Sequence, residues 1–284
     1  MAIQLGNWQL DTVDGGTFSI DGGVAFGIVP KALWSKVAPP DENNRIRFRS
    51  NCLLARNGDH TVLIDTGYGS KYAPLDRKFW EMDEGDPVIE SLATLGVTAD
   101  DIDLVVFSHL HFDHSGGATR FIGNRVAVPT FAKARHIIGR WEWEDATSCS
   151  PELETAYPQN NLLPLAEANL VELIDDGAQI VPGLKARLSG GHTRGHLSLV
   201  FESGGETALF IGDICASSVH LHRMWNLSYD TFPLDSRRVK PQLLAEAAAG
   251  DWWVFWPHDP RVAGARLVTH PKKGFELVDP RQRI

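Results

Sequence analysis

The densest group of metal-binding side chains in this sequence lies in residues 108–117, which read SHLHFDHSGG. His109, His111, Asp113 and His114 fall within six consecutive positions. Unpaired polar groups are costly to bury, so these cannot all be ordinary core residues. Three imidazoles and a carboxylate are ligands suited to zinc, iron or manganese. The segment therefore predicts a metal site in preference to a solvated loop that happens to be rich in histidine.

Three more candidate ligands follow short apolar segments elsewhere in the chain. They are His192 after 185–188, Asp213 after 208–211 and His258 after 252–256. The first cluster follows the apolar segment 104–107 in the same way. Ligands at the carboxyl ends of strands meet on one rim of a sheet, where α/β proteins build their sites. Each residue alone is as often an ordinary polar residue as a ligand, so the prediction depends on their combination.

Apolar periodicity and turn residues predict the elements that must position these side chains. Strands are predicted over 52–56, 61–65, 104–107, 185–188, 208–211 and 252–255, and helices over 86–95, 131–161 and 236–249. We expect 131–161 to cover part of the site and Pro241 to bend the last helix near its start. Strands that alternate with helices indicate a layered α/β fold. We expect one domain over 1–284, with 1–50 as an N-terminal arm and first strands.

Five further residues are predicted to support the site or to line its pocket. They are Asp65, His196, His220, His222 and Trp225. We expect Asp65 to brace the loops beneath the metals and His196 to make a supporting hydrogen bond. His220 and His222 follow Asp213 closely, and a pocket position and a solvent-exposed loop position stay open for both.

The combined motifs resemble the metallo-β-lactamase superfamily, in its binuclear hydrolase branch. The H-x-H-x-D-H motif is residues 109–114, and G-H-T-x-G-H is 191–196, with Arg194 where proline is common. Gly212-Asp213, His258 and the Asp65-Thr66-Gly67 signature complete the resemblance, which runs from about residue 51 to residue 259. It implies a four-layer αββα sandwich with the site on one edge of the two sheets.

The resemblance also implies how the ligands divide between two divalent ions. His109, His111 and His192 would hold one metal, Asp113, His114 and His258 the other, and Asp213 would bridge them. Zinc is the first expectation, with iron, manganese and cobalt as alternatives. Two such ions lower the pKa of a shared water to about 7, so a bridging hydroxide would be the nucleophile. Asp113 and Asp213 are accordingly the predicted catalytic carboxylates, and Asp113 would also orient the nucleophile.

The expected reaction is hydrolysis of a small ester or lactone. Ala216 stands where homoserine lactonases usually carry tyrosine, which makes phosphotriester hydrolysis the main alternative. An iron-dependent oxidoreductase such as a sulfur dioxygenase is less favoured, because the second ligand set is intact. Aromatic residues are expected to form apolar pocket walls: Trp141, Trp225, Tyr229 and Phe232.

Composition restricts the partners. The formal net charge is −9 and no Lys/Arg cluster is present, which disfavours nucleic acid. The longest apolar segments run to about five residues, whereas a membrane-spanning helix needs roughly 20. Three distant cysteines and a start without a signal-peptide pattern indicate a reducing, cytoplasmic location. We expect a small-molecule substrate and a homodimer.

Overall fold

The computed structural model describes residues 2–282. The strands of this part of the chain are β1 Ile3–Leu5, β2 Trp8–Asp21, β3 Arg45–Arg56, β4 Thr61–Ile64, β5 Leu104–Val106, β6 Thr119–Ile122, β7 Val126–Pro129, β8 Arg135–Gly139, β9 Val171–Ile174, β10 Gln179–Val181, β11 Leu184–Leu188, β12 Leu197–Ser203, β13 Glu206–Phe210, β14 Trp253–Phe255, β15 Gly264–His270 and β16 Gly274–Arg281. The α-helices are α1 Gly22–Phe26, α2 Lys31–Trp34, α3 Pro74–Trp80, α4 Pro87–Thr94, α5 Phe112–Ser115, α6 Arg140–Ala146, α7 Gln159–Glu167 and α8 Pro233–Ala249.

Two seven-stranded sheets form the centre of the molecule. The order of the first sheet is β1-β2-β3-β4-β5-β8-β9, and the second runs from β10 to β16 in chain order. Strands β4, β5, β8 and β9 are mutually parallel neighbours, as are β13 and β14. In the first sheet the parallel strands run from the centre to the edge strand β9, and in the second sheet they lie inside. The carboxyl ends of parallel strands share one edge of a sheet.

The core is arranged in layers on both sides of each sheet. Between the sheets lies an apolar cluster that includes Trp8, Leu53, Phe201 and Phe210, with the Trp8 and Phe201 ring centroids 5.5 Å apart. A second cluster packs α4 and α7 on the outer face of the first sheet, and a third packs α8 on the second sheet. Burying apolar surface on both faces is what holds such layers together. The predicted αββα sandwich is confirmed.

Two element predictions were wrong in part. The predicted helix over 131–161 contains β8, a strand that pairs in parallel with β5 and β9. Residues 136–139 are all buried, and a short continuous apolar run does not distinguish a core strand from a helix. The last helix begins at Pro233 instead of residue 236, and it continues through Pro241. Leu243, Leu244 and Ala247, which follow the proline, pack the helix against the second sheet.

The N-terminal arm joins the first sheet and then covers one side of the site. Strand β2 pairs with β3 along almost its whole length, and α1 and α2 follow it. Around them lies an aromatic cluster that we call the arm cluster. Its members include Phe18, Phe26, Trp34, Phe48 and Tyr68.

Candidate metal centre

The first cluster of candidate ligands follows the end of β5. His109 and His111 lie in the segment before α5, and Asp113 and His114 lie in the first turn of that helix. The chain thus turns from an extended segment into a helix directly after His111. His109, Asp113 and His114 are buried, and His111 is partly buried.

The other three candidate ligands arrive from the second sheet, each after the end of a strand. His192 follows β11, Asp213 follows β13 and His258 follows β14. All three are buried. The parallel pairing of β13 with β14 brings their carboxyl ends together, and the packing of the two sheets brings them to the end of β5. The sheet edge predicted from the sequence is thus where all seven residues meet.

Donor atoms of His109, His111 and His192 lie within 4.8 Å of one another and form a first set. Nε2 of His192 is 3.0 Å from Nδ1 of His111. Asp113, His114 and His258 form a second set of the same size. In it, the Nε2 atoms of His114 and His258 are 3.0 Å apart, and Asp113 Oδ2 is 3.4 Å from His258 Nε2.

The Asp213 carboxylate divides its two oxygens between the sets. Oδ2 is 3.4 Å from Nε2 of His192, in the first set. Oδ1 is 3.0 Å from Nε2 of His258 and 3.4 Å from Nε2 of His114, in the second. A carboxylate placed in this way could bind an ion on either side of it.

Two buried polar atoms at the site indicate whether these residues fit metal ions. His109 Nε2 and Asp213 Oδ1 are buried and make no hydrogen bond within the described residues, although such groups are costly to leave unsatisfied. Burial and the neighbouring histidines lower the pKa of His109 and of His111 well below the usual range, which leaves neutral imidazoles. Despite burial, His258, His114 and His192 hold the pKa of Asp213 well below its usual range. Neutral imidazoles at His109 and His111 and an ionised Asp213 suit a divalent cation. Despite burial, the Asp213 carboxylate raises the pKa of His114 and of His192.

Hydrogen bonds behind the ligands fix which ring nitrogen faces the centre. Asp65 accepts from Ser108 N–H at 2.8 Å and lies 2.8 Å from Nδ1 of His114. The backbone carbonyl of Arg49 lies 3.1 Å from Nδ1 of His258. In both rings Nδ1 is thereby engaged and Nε2 is left for the centre, the usual arrangement of metal-binding histidines.

His196 lies beside the site as a supporting residue. Its Nε2 accepts a hydrogen bond of 2.9 Å from the backbone N–H of Asp213, and its Nδ1 lies 2.5 Å from Ser189 Oγ. Gly212 makes this contact possible, because a Cβ at that position would lie 2.4 Å from His196 Nε2. The imidazole thus orients the turn that carries Asp213.

Two buried acids of this region were not singled out in the sequence. Asp230 lies 2.9 Å from Nδ1 of His192, 38 residues away along the chain. Glu142 accepts from Leu110 N–H at 2.9 Å and from the Thr193 hydroxyl at 2.5 Å, so it ties together two ligand loops. Burial raises the pKa of Glu142. No local motif marks either acid, since each acts on a segment distant in sequence.

The residues predicted to line a pocket after Asp213 take different positions. His220 is buried, with its ring nitrogens bonded to Ser217 Oγ and the Ala25 carbonyl, and it stacks on Phe26 in the arm cluster. It lines a cavity of about 220 Å³ that also reaches His258. His222 is exposed, in keeping with the solvent-exposed loop position that the sequence left open. Trp225 packs against Phe26, its ring centroid 5.6 Å away.

The residues predicted as aromatic walls differ in exposure. Trp141 and Phe232 are 46% and 40% exposed, and their place in the pocket stays a prediction. Tyr229 does contact the site, with ring centroids 5.4 Å from His192 and 6.3 Å from His111. Phe18 and Phe48 of the arm cluster lie 5.9 and 5.1 Å from the His258 ring. Sequence reasoning missed these two because they precede the motifs by more than 50 residues.

A buried lysine holds the loop that follows α5. Lys71 Nζ donates to the carbonyl oxygens of Gly116 and Thr119. Burial lowers its pKa from 10.5 to about 7, and the Asp86 carboxylate opposes that shift.

Replacing Lys71 with methionine should therefore remove a pH dependence of stability. Above about pH 7 the folded chain loses a proton that the unfolded chain keeps until about pH 10.5, so wild-type stability should rise over this range. The rise relative to Lys71→Met is at most about 1.4 kcal/mol per pH unit. Urea unfolding at several pH values measures it, with exposed Lys133→Met as the control. A constant difference between wild type and Lys71→Met would contradict the expectation.

Comparisons with known proteins agree with this architecture. An N-acyl homoserine lactonase from a Bacillus species is 28% identical over 163 residues, which cover 54% of this chain and 58% of that protein. The chain thus spans less than two thirds of the length of that curated relative.

Two solved structures resemble the whole chain. A probable metal-dependent hydrolase from Staphylococcus aureus has a TM-score of 0.89 and 28% identity, over 98% of this chain and 99% of that chain. AidC, a dizinc quorum-quenching lactonase solved with a product, has a TM-score of 0.79 and 20% identity, over 98% and 96%. Residues 45–258, well over half of the chain, match the family described as the metallo-beta-lactamase superfamily. The chain belongs to the metallo-beta-lactamase superfamily.

Proposed function

We propose that this protein is a binuclear metal-dependent hydrolase that cleaves a small, uncharged ester or lactone. The observation that carries the proposal is the pair of donor sets that share Asp213. Bound divalent ions would supply a Lewis acid for the substrate oxygen and would lower the pKa of a shared water to near neutrality. His109, His111 and His192 would hold one ion, and Asp113, His114 and His258 the other.

The chain's own residues would keep this centre in one geometry. Asp65, Asp230 and the Arg49 carbonyl fix the histidine rings, and His196 fixes the turn that carries Asp213. Asp113 is buried but is the more exposed of the two predicted catalytic carboxylates, 7% against 3% for Asp213. We assign to Asp113 a second task, which is to accept a hydrogen bond from the attacking water and so orient it.

The surroundings of the centre favour an uncharged substrate with an apolar part. Tyr229, Phe18 and Phe48 contact the ligand histidines. Within residues 2–282, no lysine or arginine side chain forms an ion pair or hydrogen bond with any of the seven ligands. A phosphate monoester or a nucleic acid would lack a cationic anchor at the ligands themselves, and Arg47 and Arg261 lie farther out, in the wall of the cavity that reaches His258. The N-acyl homoserine lactonase among the relatives is in keeping with a lactone substrate.

Position 216 favours phosphotriesters as the second candidate. Ala216 is buried in the arm cluster, and its carbonyl accepts from the His258 N–H at 2.8 Å. Its methyl group cannot give an acyl-homoserine lactone the hydroxyl that a tyrosine at this position would supply, and a missing oxyanion donor can cost roughly 10²–10³ in turnover. A phosphotriester, whose oxygen both ions could polarise, depends less on such a donor.

A panel of substrates tests the proposal. We expect kcat/KM to be higher for a simple γ-lactone and an aryl ester than for an acyl-homoserine lactone, with a phosphotriester comparable or lower. A phosphodiester and a phosphate monoester should be the poorest substrates. His222→Ala, at an exposed position, should match wild type on every substrate. If the phosphodiester is the best substrate, the ester-hydrolase proposal fails. An acyl-homoserine lactone that leads by a wide margin would contradict the inference from Ala216.

The expectations on partners and location belong to the same proposal. No helix within residues 2–282 is long and apolar enough to cross a membrane. The homodimer and the cytoplasmic location stay predictions from the sequence.

A further inference from the structure

Helix α8 buries a lysine close to the metal centre. Lys240 has no solvent exposure, although a lysine is almost never fully buried unless it is paired. Its Nζ donates to the carbonyl of Trp225 at 2.6 Å and to Oδ1 of Asn226 at 3.4 Å. Both acceptors lie in residues 221–232, which we call the 221–232 loop.

The bond from Lys240 sets the direction of the Asn226 amide. Because Oδ1 of that amide accepts from the lysine, Nδ2 points the other way and donates to Oδ2 of Asp230 at 3.1 Å. Without the lysine, the amide could flip and place its oxygen against the carboxylate, which would repel it. An ammonium and a neutral amine both provide the two N–H groups, so this arrangement does not depend on the charge of Lys240.

Asp230 passes the constraint on to a candidate metal ligand. Its Oδ1 lies 2.9 Å from Nδ1 of His192, and both side chains are buried. The carboxylate accepts a hydrogen bond from the Nδ1–H group of His192, which leaves the Nε2 lone pair to face the first set of donor atoms. Backbone bonds tie the same loop to the same ligand, from Thr231 N–H to the His192 carbonyl and from Phe232 N–H to the Gly191 carbonyl, each 2.8 Å.

The second set has different supports. His114 relies on Asp65 and His258 on the Arg49 carbonyl, and neither contact involves the 221–232 loop or α8. The chain of bonds from Lys240 therefore reaches only one of the two donor sets directly.

We propose that Lys240 is a positioning residue for the metal centre, which acts through Asn226 and Asp230 to hold His192 in the orientation that binds the first of the two ions. The inference rests on the proposed binuclear centre. The proposal gives a role to α8, which contributes none of the seven candidate ligands.

Zinc binding to the purified apoprotein tests this role, with a chromophoric chelator as competitor and no substrate present. In Lys240→Met, one of two ions should bind about 10–100-fold more weakly. The other should stay within about twofold of wild type. Lys185→Met is the matched control, since Lys185 is exposed on β11 and pairs with Glu202. It should bind both ions as wild type does.

A double-mutant cycle separates positioning from general destabilisation. If Lys240 acts through Asp230, then Asp230→Ala with Lys240→Met should bind zinc no more weakly than Asp230→Ala alone. Additive losses, an equal weakening of both ions, or unchanged affinity in Lys240→Met would overturn the inference. Should Lys240→Met fail to fold, Asn226→Leu decides, because it breaks the same link while the Lys240 bond to Trp225 is kept.

The inference and the proposed function fail in different ways. Wild type that binds two zinc ions but hydrolyses nothing in the substrate panel defeats the proposed function, and the affinity measurements then still decide the role of Lys240. Wild type that binds a single ion at saturating zinc defeats both.

Discussion

Replacing Asp213 with alanine is expected to lower kcat/KM by about 10²–10⁴-fold and to reduce bound metal below two ions per chain. Its two oxygens lie next to opposite donor sets, 3.4 Å from His192 Nε2 and 3.0 Å from His258 Nε2. Loss of the carboxylate therefore removes a ligand and a negative charge from both sets at once. Metal analysis of the purified variant, together with steady-state kinetics on the best substrate of the panel, measures the effect.

His196→Ala is the informative comparison for Asp213→Ala. His196 orients the turn that carries Asp213 but contributes no donor to either set, and losses at such positions are typically about 10–100-fold. Two ions should still bind to His196→Ala at saturating metal. Equally mild effects of the two substitutions would contradict the bridging role of Asp213.

Removal of the metals should abolish activity and lower the melting temperature. The seven candidate ligands are buried or partly buried, and without an ion His109 Nε2 and Asp213 Oδ1 make no hydrogen bond to any part of the chain from residue 2 to residue 282. Ions that bind only the folded chain stabilise it by mass action, by about 4 kcal/mol when free metal is 1,000 times the dissociation constant. Dialysis against a chelator, followed by activity assays and thermal melts, measures both losses. Zinc, manganese or cobalt added back should restore them.

The stoichiometry of this restoration discriminates between one and two functional ions. We expect activity to reach its maximum near two equivalents per chain, because the first and second donor sets share no residue. Full activity with a single bound ion at saturating metal would contradict the binuclear proposal. A chelated protein that keeps its activity would exclude a metal-dependent reaction altogether.

The sequence by itself determined the family, the layered fold and the seven candidate ligands. That was possible because each ligand stands in a short local motif at the end of an apolar strand, and the spacing within such a motif is fixed by the local backbone. His109 to His114 are close together in the chain, and Gly212 marks the turn that carries Asp213. The helix that begins at Pro87 was also predicted from neighbouring residues alone.

Only the tertiary structure decided which side chains support and surround the ligands. Asp230 and Glu142 lie 38 and 32 residues from the groups they contact, and Phe48 lies still farther from His258. Local patterns carry no information on such pairs, because the packing of the two sheets and the covering arm creates them. The same packing leaves His222 and Trp141 exposed and places Arg135–Gly139 as a strand in the first sheet. A residue type predicts what chemistry a side chain can do, but burial and contacts across the fold decide whether it reaches the site.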